Sequence, residues 1–255
     1  MKVKKSRIFG YSAGLLAATL VIPITAMAQG NTLDLEQVKT RNSSFYSSQL
    51  GPDNTITAKQ FGDNSTAAVY QAGVNNSIDL DQGNAWSQNI AVKAFQTGKD
   101  NTAVVRQRGF DSSLTLSQFG VGHKADVYQN GRNLNASIYE SGLENTVNVK
   151  QYGSDSLLSA STSGERNSID LSQGNRGSEN LRASVTQYGR DNTASVSQAG
   201  FDSDLRVTQI GAENAASVSQ HGRDLSLTLN QYGSQNNATI RQGGENNRIF
   251  ASQAN

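Results

Sequence analysis

From about residue 49 onward, apolar and polar positions alternate with a period of two, and the alternation restarts every 11 residues. In Asn192-Thr193-Ala194-Ser195-Val196-Ser197-Gln198, aliphatic residues stand four and two positions before a glutamine, and small polar residues separate them. The same two positions are aliphatic in all 18 successive units, from Ile56 and Ala58 to Ile249 and Ala251. An in-and-out alternation that closes on glutamine and then glycine predicts a short β-strand followed by a corner. One strand with two aliphatic residues cannot bury them alone. Stacked units pool them into a continuous core, which predicts an all-β solenoid.

The frame is set by glutamines at Gln49, Gln60, Gln71, Gln82, Gln96, Gln107, Gln118 and Gln129, then Gln151, Gln173, Gln187, Gln198, Gln209, Gln220, Gln231, Gln242 and Gln253. Glu140 and Thr162 fill the two vacant slots. Two steps are 14 residues long, 82 to 96 and 173 to 187. They lie 91 residues apart and both open on Gln-Gly-Asn, so an ancestral block was itself duplicated. Six residues before the glutamine slot, asparagine recurs in every second unit, at Asn101, Asn145, Asn167, Asn192, Asn214 and Asn236. Alternate units carry residues such as Ser112, Leu134, Ser203 and Leu225 there. Core size alternates as well, from Ala194 to Leu205, Ala216 and Leu227. A full coil is therefore two strands and two corners, about 22 residues. Eighteen units give about nine coils, spanning 49–255.

Stacking also assigns the polar inward positions. The glutamines from Gln60 to Gln253 form an amide ladder, each side chain bonded to its counterpart in the next coil, and the asparagines form another. Of the 22 glycines after residue 28, 16 stand two positions after a glutamine slot, where a corner needs positive φ. Pro52 lies in the first such corner, where no ladder donor is lost. A buried Glu140 is costly in this column unless it tilts into solvent.

The N-terminus has a different pattern. The basic run Lys2 to Arg7 precedes an apolar stretch from Ile8 to about Thr25 and then Ala26-Met27-Ala28. This predicts a secretory signal over 1–28, cleaved between Ala28 and Gln29, with no membrane span in the mature chain. Removing Lys2, Lys4, Lys5 and Arg7 takes the net charge from +1 to −3. The composition is otherwise poor in core material, with 35% apolar residues and a mean hydropathy of −0.53. The absence of cysteine excludes disulfides, thiolate metal sites and cysteine nucleophiles. Two histidines and a near-neutral charge argue against a histidine-rich metal centre and a nucleic-acid face.

The run Gln187-Tyr188-Gly189-Arg190-Asp191-Asn192-Thr193-Ala194-Ser195-Val196-Ser197-Gln198 resembles the curlin repeat, Gln-x-Gly-x-x-Asn-x-Ala-x-Val-x-Gln. Gln96 to Gln107 and Gln209 to Gln220 match nearly as well, and the resemblance extends over 49–253. It implies a secreted subunit of curli, the functional amyloid fibres of bacterial biofilm matrix that support adhesion. Self-association, other curli-type subunits and a dedicated outer-membrane secretion channel follow as implied partners. Residues 29–48 then occupy the place of the segment read by that channel. The coils outnumber those usual in the family's main subunit, and the 14-residue steps and the Glu140 and Thr162 slots depart from its pattern.

Competing readings are a minor, nucleating curli subunit, a soluble secreted solenoid adhesin, and a carbohydrate-active β-helix protein. Catalysis by the last would need paired acids in a groove, whereas Asp79, Asp126, Asp170 and Asp204 are spread over outward positions. No catalytic, cofactor-binding or metal-ligating residue is assigned. His123 and His221 fall in different corner slots, and no flat Thr-x-Thr array persists. Aromatic residues beside the glutamine slot, among them Phe119, Tyr128, Tyr139 and Tyr152, are read as cross-strand packing or as contacts to a substratum.

Overall fold

The computed structural model describes residues 2–9, 19–21, 30–84 and 87–255. Strands of odd number form one parallel sheet and strands of even number another. The odd sheet runs β1 (Lys2–Phe9), β3 (Thr32–Arg41), β5 (Thr55–Asp63), β7 (Ser77–Gln82), β9 (Thr102–Phe110), β11 (Lys124–Arg132), β13 (Thr146–Ser154), β15 (Ser168–Gln173), β17 (Thr193–Phe201), β19 (Ala215–Arg223) and β21 (Asn237–Glu245). The even sheet runs β2 (Thr19–Val21), β4 (Ser44–Leu50), β6 (Thr66–Val74), β8 (Ala91–Lys99), β10 (Ser113–Val121), β12 (Asn135–Leu143), β14 (Leu157–Glu165), β16 (Arg182–Arg190), β18 (Asp204–Ala212), β20 (Ser226–Ser234) and β22 (Arg248–Ala254). Every strand pairs with the strand two places on, so each coil lies over the last.

Register follows the repeat. Ala194 pairs with Ala216 and Ala216 with Ala238; Leu205 pairs with Leu227 and Leu227 with Ile249. Burial alternates as the sequence pattern does, with Ala194, Val196 and Gln198 inside and Ser195 and Ser197 outside. The core is one column of aliphatic side chains from Leu33 and Leu35 to Ala238 between the two sheets.

The solenoid has ten coils rather than nine, counted from β3 to β22. Nine spacings of ~4.8 Å make it about 43 Å long. The additional coil uses Leu33, Leu35 and Gln37 on β3 and Phe45, Ser47 and Gln49 on β4. A 12-residue step separates Gln37 from Gln49, Lys39 replaces the usual glycine, and Ser47 takes an aliphatic slot, so the 11-residue frame hides this coil. Residues 32–48, read from sequence as part of a separate export segment, are thereby strands of the stack. β1 and β2 pair with β3 and β4; the expected junction Ala28–Gln29 lies outside the described residues.

The two 14-residue steps are one device used twice. β7 and β15 stop at Gln82 and Gln173. The chain then makes an Asn-x-x-Ser corner in which the Asn84 amide donates to Ser87 Oγ at 3.1 Å, and that of Asn175 to Ser178 Oγ at 3.1 Å. Each serine Oγ also accepts from a glycine amide of the next coil, Gly109 and Gly200, at 3.1 Å. Gln88 and Glu179 then bridge to both neighbouring coils. Ile90 and Leu181 are returned to the core, and the register is unchanged beyond each bulge. Trp86 lies outside the described residues.

Candidate functional site

The polar residues that the fold buries are arranged in columns, and the columns are what one coil offers to the next. On the odd sheet, each glutamine donates from Nε2 to Oε1 of the glutamine above. The run is unbroken from Gln37 to Gln60 (2.7 Å) through Gln129 to Gln151 (2.7 Å) and on to Gln220 and Gln242 (3.0 Å). The same amides reach backbone carbonyls, as Gln151 does to Ser156 O at 3.0 Å, so both hydrogens of the buried NH₂ are used. The even sheet repeats this from Gln49 to Gln71 (3.0 Å) up to Gln96 and Gln118 (2.7 Å), and again from Gln187 to Gln209 (2.7 Å) and Gln253. All the glutamines expected in the ladder lie in one of these two columns, and Gln37 and Gln49 extend it.

The asparagine column occupies one corner only and runs in the opposite sense. Asn192 donates from Nδ2 down to Asn167 Oδ1 at 2.9 Å, and its backbone amide reaches the same oxygen at 3.2 Å. Its Nδ2 also reaches up to Gly211 O at 3.0 Å, so one side chain ties together three coils. Asn101, Asn145, Asn167, Asn214 and Asn236 all take part, and Asn31, Asn54 and Asn76 begin the column. The opposite corner carries serine and aliphatic residues, where Ser112 Oγ accepts the Leu134 amide and Ser203 Oγ the Leu225 amide.

His123 stands in the asparagine column, fully buried. Its Nδ1 accepts the Asn145 amide at 3.3 Å, as an asparagine Oδ1 would, and Nε2 lies 3.1 Å from Phe119 O, where an asparagine Nδ2 donates. That arrangement puts the ring's single hydrogen on Nε2. Burial lowers its pKa, opposed by the hydrogen bonds to the Phe119 and Gly142 carbonyls. His123 is thus a neutral stand-in for asparagine, and His221 is exposed on β19, outside that column.

Glu140 does not tilt into solvent. It stays in the even column, fully buried, where Gln118 Nε2 donates to its Oε2 at 2.6 Å. Burial pushes its carboxyl up to about 8, against the Gln118 hydrogen bond that lowers it. Its position on β12 faces inward, and the strand is held in register by β10 on one side and β14 on the other.

Glycine does more than allow the corner. The glycine two places after most of the glutamines stacks on its counterpart, and a Cβ on Gly189 would lie 1.9 Å from Gly211 O. The corner itself mostly turns two residues later; among the described residues 18 non-glycine residues have positive φ, 14 of them Asn or Asp. These make outer rows in which Asn133 donates to Asp155 at 2.6 Å and Asn180 to Asp202 at 2.9 Å, so an amide separates like charges.

Asp79, Asp126, Asp170 and Asp204 are exposed, the first three on alternate strands of the odd sheet and the last on the even sheet. The aromatic residues pack between adjacent coils, with Phe119 against Tyr139 (5.7 Å) and Tyr128 against Tyr152 (5.4 Å). Among the described residues, no group of three or more His, Asp or Glu is placed to hold a metal ion.

What recurs in every coil is thus a unit of glutamine, glycine, asparagine or serine, and two aliphatics in fixed register. The curlin associated repeat matches residues 51–83, 124–153, 164–200, 202–233 and 222–254, together more than half of the chain. The chain belongs to the curlin repeat family. The matched stretches leave out 84–123, which holds the first inserted corner and His123, and 154–163, which holds Thr162. No curated protein matches the chain closely enough to count as a relative. The curlin repeat and the solenoid it builds here point to a structural protein.

Proposed function

We propose that this curlin-repeat chain is a structural subunit of an extracellular curli-like amyloid fibre, growing by addition of coil upon coil. The observation that carries this is the interchangeability of the coils. Internal coils meet their neighbours in one repeated register, and in most of them through the same amide columns, so a coil of a second copy meets the same kind of partners. At β21 and β22, Ile240, Ile249 and Ala251 are only half-buried, which leaves the aliphatic column open to such an addition. Parallel edges of this kind template further strands.

The basic and apolar pattern of 1–28 supports export through a signal cleaved at Ala28–Gln29, and the family supports passage to the cell surface. Other curli-type subunits and an outer-membrane secretion channel are the partners this role requires. In this reading residues 29–48 serve twice, as the segment read during export and as the first coil once the stack forms.

Purified chain lacking 1–28 is expected to assemble after a lag, with amyloid-dye fluorescence and a meridional reflection near ~4.8 Å. Preformed fibres should abolish the lag. A chain that stays monomeric and dye-negative at high concentration, with or without seeds, would overturn the proposal.

A further inference from the structure

The even column is interrupted at one place, and the interruption is chemically specific. Glu140, Thr162 and Gln187 stack directly on one another in β12, β14 and β16. Of the buried side-chain atoms without a hydrogen-bond partner, three are Glu140 Oε1, Thr162 Oγ1 and Gln187 Oε1. Below them Gln118 donates upward at 2.6 Å, and above them Gln187 donates upward to Gln209 at 2.7 Å. A column that carries hydrogen from each coil to the next therefore meets three acceptors in a row, and only the threonine hydroxyl among them has a hydrogen to give.

Glu140 Oε2 takes the part of a glutamine Oε1, which leaves Oε1 in the place of a glutamine Nε2. In neighbouring coils that position is a donor, as in Gln118 Nε2 to Thr102 O at 3.2 Å. An ionised carboxylate sets an acceptor there, and a carboxylic acid sets a donor.

We propose that Glu140 is a proton-binding site built into the column: one proton taken from solvent onto Oε1 completes a relay through Thr162 Oγ1 to Gln187 Oε1, directly or through a bridging water, and couples the integrity of the middle of the stack to pH. The carboxylate becomes a neutral acid, Glu140 donates towards Thr162, Thr162 donates to Gln187, and the ladder runs without interruption from Gln49 to Gln253.

Among the described residues, no other charged group buried inside the stack competes for this role. The inward faces of β10, β11, β13 and β14 carry aliphatic residues, glutamine and Thr162. The other buried ionisable group nearby is His123, held neutral by burial. Lys124, Asp126, Glu144 and Lys150 are exposed, and Tyr128 and Tyr139 lie on the outer face. Burial, which raises the Glu140 carboxyl to about 8, acts in the same direction as the geometry.

The sign follows from proton counts. Between the unfolded value of 4.5 and the folded value of about 8, the folded chain holds a proton that the unfolded chain has lost, so stability falls as pH rises through this window. The test compares the folded chain with Glu140→Gln and with Glu140→Gln/Thr162→Gln, which rebuilds an all-glutamine column. Infrared spectra of the wild-type chain at about pH 6 are expected to show the carbonyl stretch of a buried protonated acid, absent from both variants and fading above about pH 8. The denaturation midpoint of the wild type relative to either variant should decline over about pH 5–8.5, because both variants lack the Glu140 component. A carboxylate band alone at about pH 6, or an identical pH slope in wild type and either variant, would overturn the proposal.

Discussion

At the scale of single residues, the side chains that matter are those that must fit between two copies of themselves. Gly189 has φ +115°, and a Cβ there would lie 1.9 Å from Gly211 O, so backbone conformation and stacking both require glycine. Gly189→Ala is expected to destabilise the solenoid by at least about 2–4 kcal/mol, since strain and a backbone clash add. Gly177, in the second inserted corner, has ordinary φ and open space, its nearest heavy atom being 3.8 Å away. Gly177→Ala should change stability by no more than about 0.5 kcal/mol, which separates the column effect from a general effect of removing glycine. Denaturant midpoints of the two variants provide the comparison.

His123 makes a second residue-scale prediction. Its Nδ1 must accept the Asn145 amide, which protonation forbids. The unfolded chain takes up a proton below 6.5 while the folded chain resists, so stability is full above 6.5 and falls as pH drops below it. His123→Asn should restore the column and remove that acid-side loss, measured as a flatter dependence of the thermal midpoint below about pH 6.5. This slope is opposite to that of Glu140, so the two contributions offset each other where their windows overlap below 6.5, and the Glu140 decline stands alone above it.

At the scale of the strand and corner, most of the architecture can be read from residue types. Period-two alternation ending in glutamine specifies which side chains face inward, and the 22-residue recurrence of asparagine assigns alternate strands to different sheets. The rest needs knowledge of what lies above and below. The positive φ at Asp155 or Asp202 was not visible because the glycine two residues earlier in the corner already accounts for a turn. The coil of Leu33 to Gln49 was hidden because its spacing and Ser47 depart from the repeat while its hydrogen bonds do not. His123 reads as an ordinary corner residue until its ring is seen to reproduce the two contacts of an amide. For Glu140, desolvation cost alone points to an outward tilt. The stack instead holds the backbone of β12 in register on both sides, so the carboxyl changes its protonation rather than its position.

At the scale of the whole molecule, the solenoid is a one-dimensional array whose stability is a sum over coils and the contacts between them. The period of that array is two strands, because the two corners are different: one carries asparagine amides and the other alternates serine with Leu134, Leu181 or Leu225. Deleting 193–214, one complete coil, joins Asn192 to Ala215, so β19 takes the place of β17 and Asn236 lies over Asn192. All columns are then conserved. Deleting only 193–203 joins Asn192 to Asp204, moves β18 into the odd sheet and brings Leu225 over Asn192, whose Oδ1 keeps a backbone amide but loses the side-chain hydrogen bond from Asn214. Each hydrogen bond lost in this way costs about 1 kcal/mol, and every coil beyond the junction has its corners exchanged. The 22-residue deletion is therefore expected to keep the β-sheet circular dichroism and cooperative unfolding of the full chain with a slightly lower midpoint. The 11-residue deletion, although it removes half as much, should lose cooperative unfolding. Equal tolerance of the two deletions would mean that the aliphatic column alone sets the stacking and that the amide columns do not discriminate between the corners.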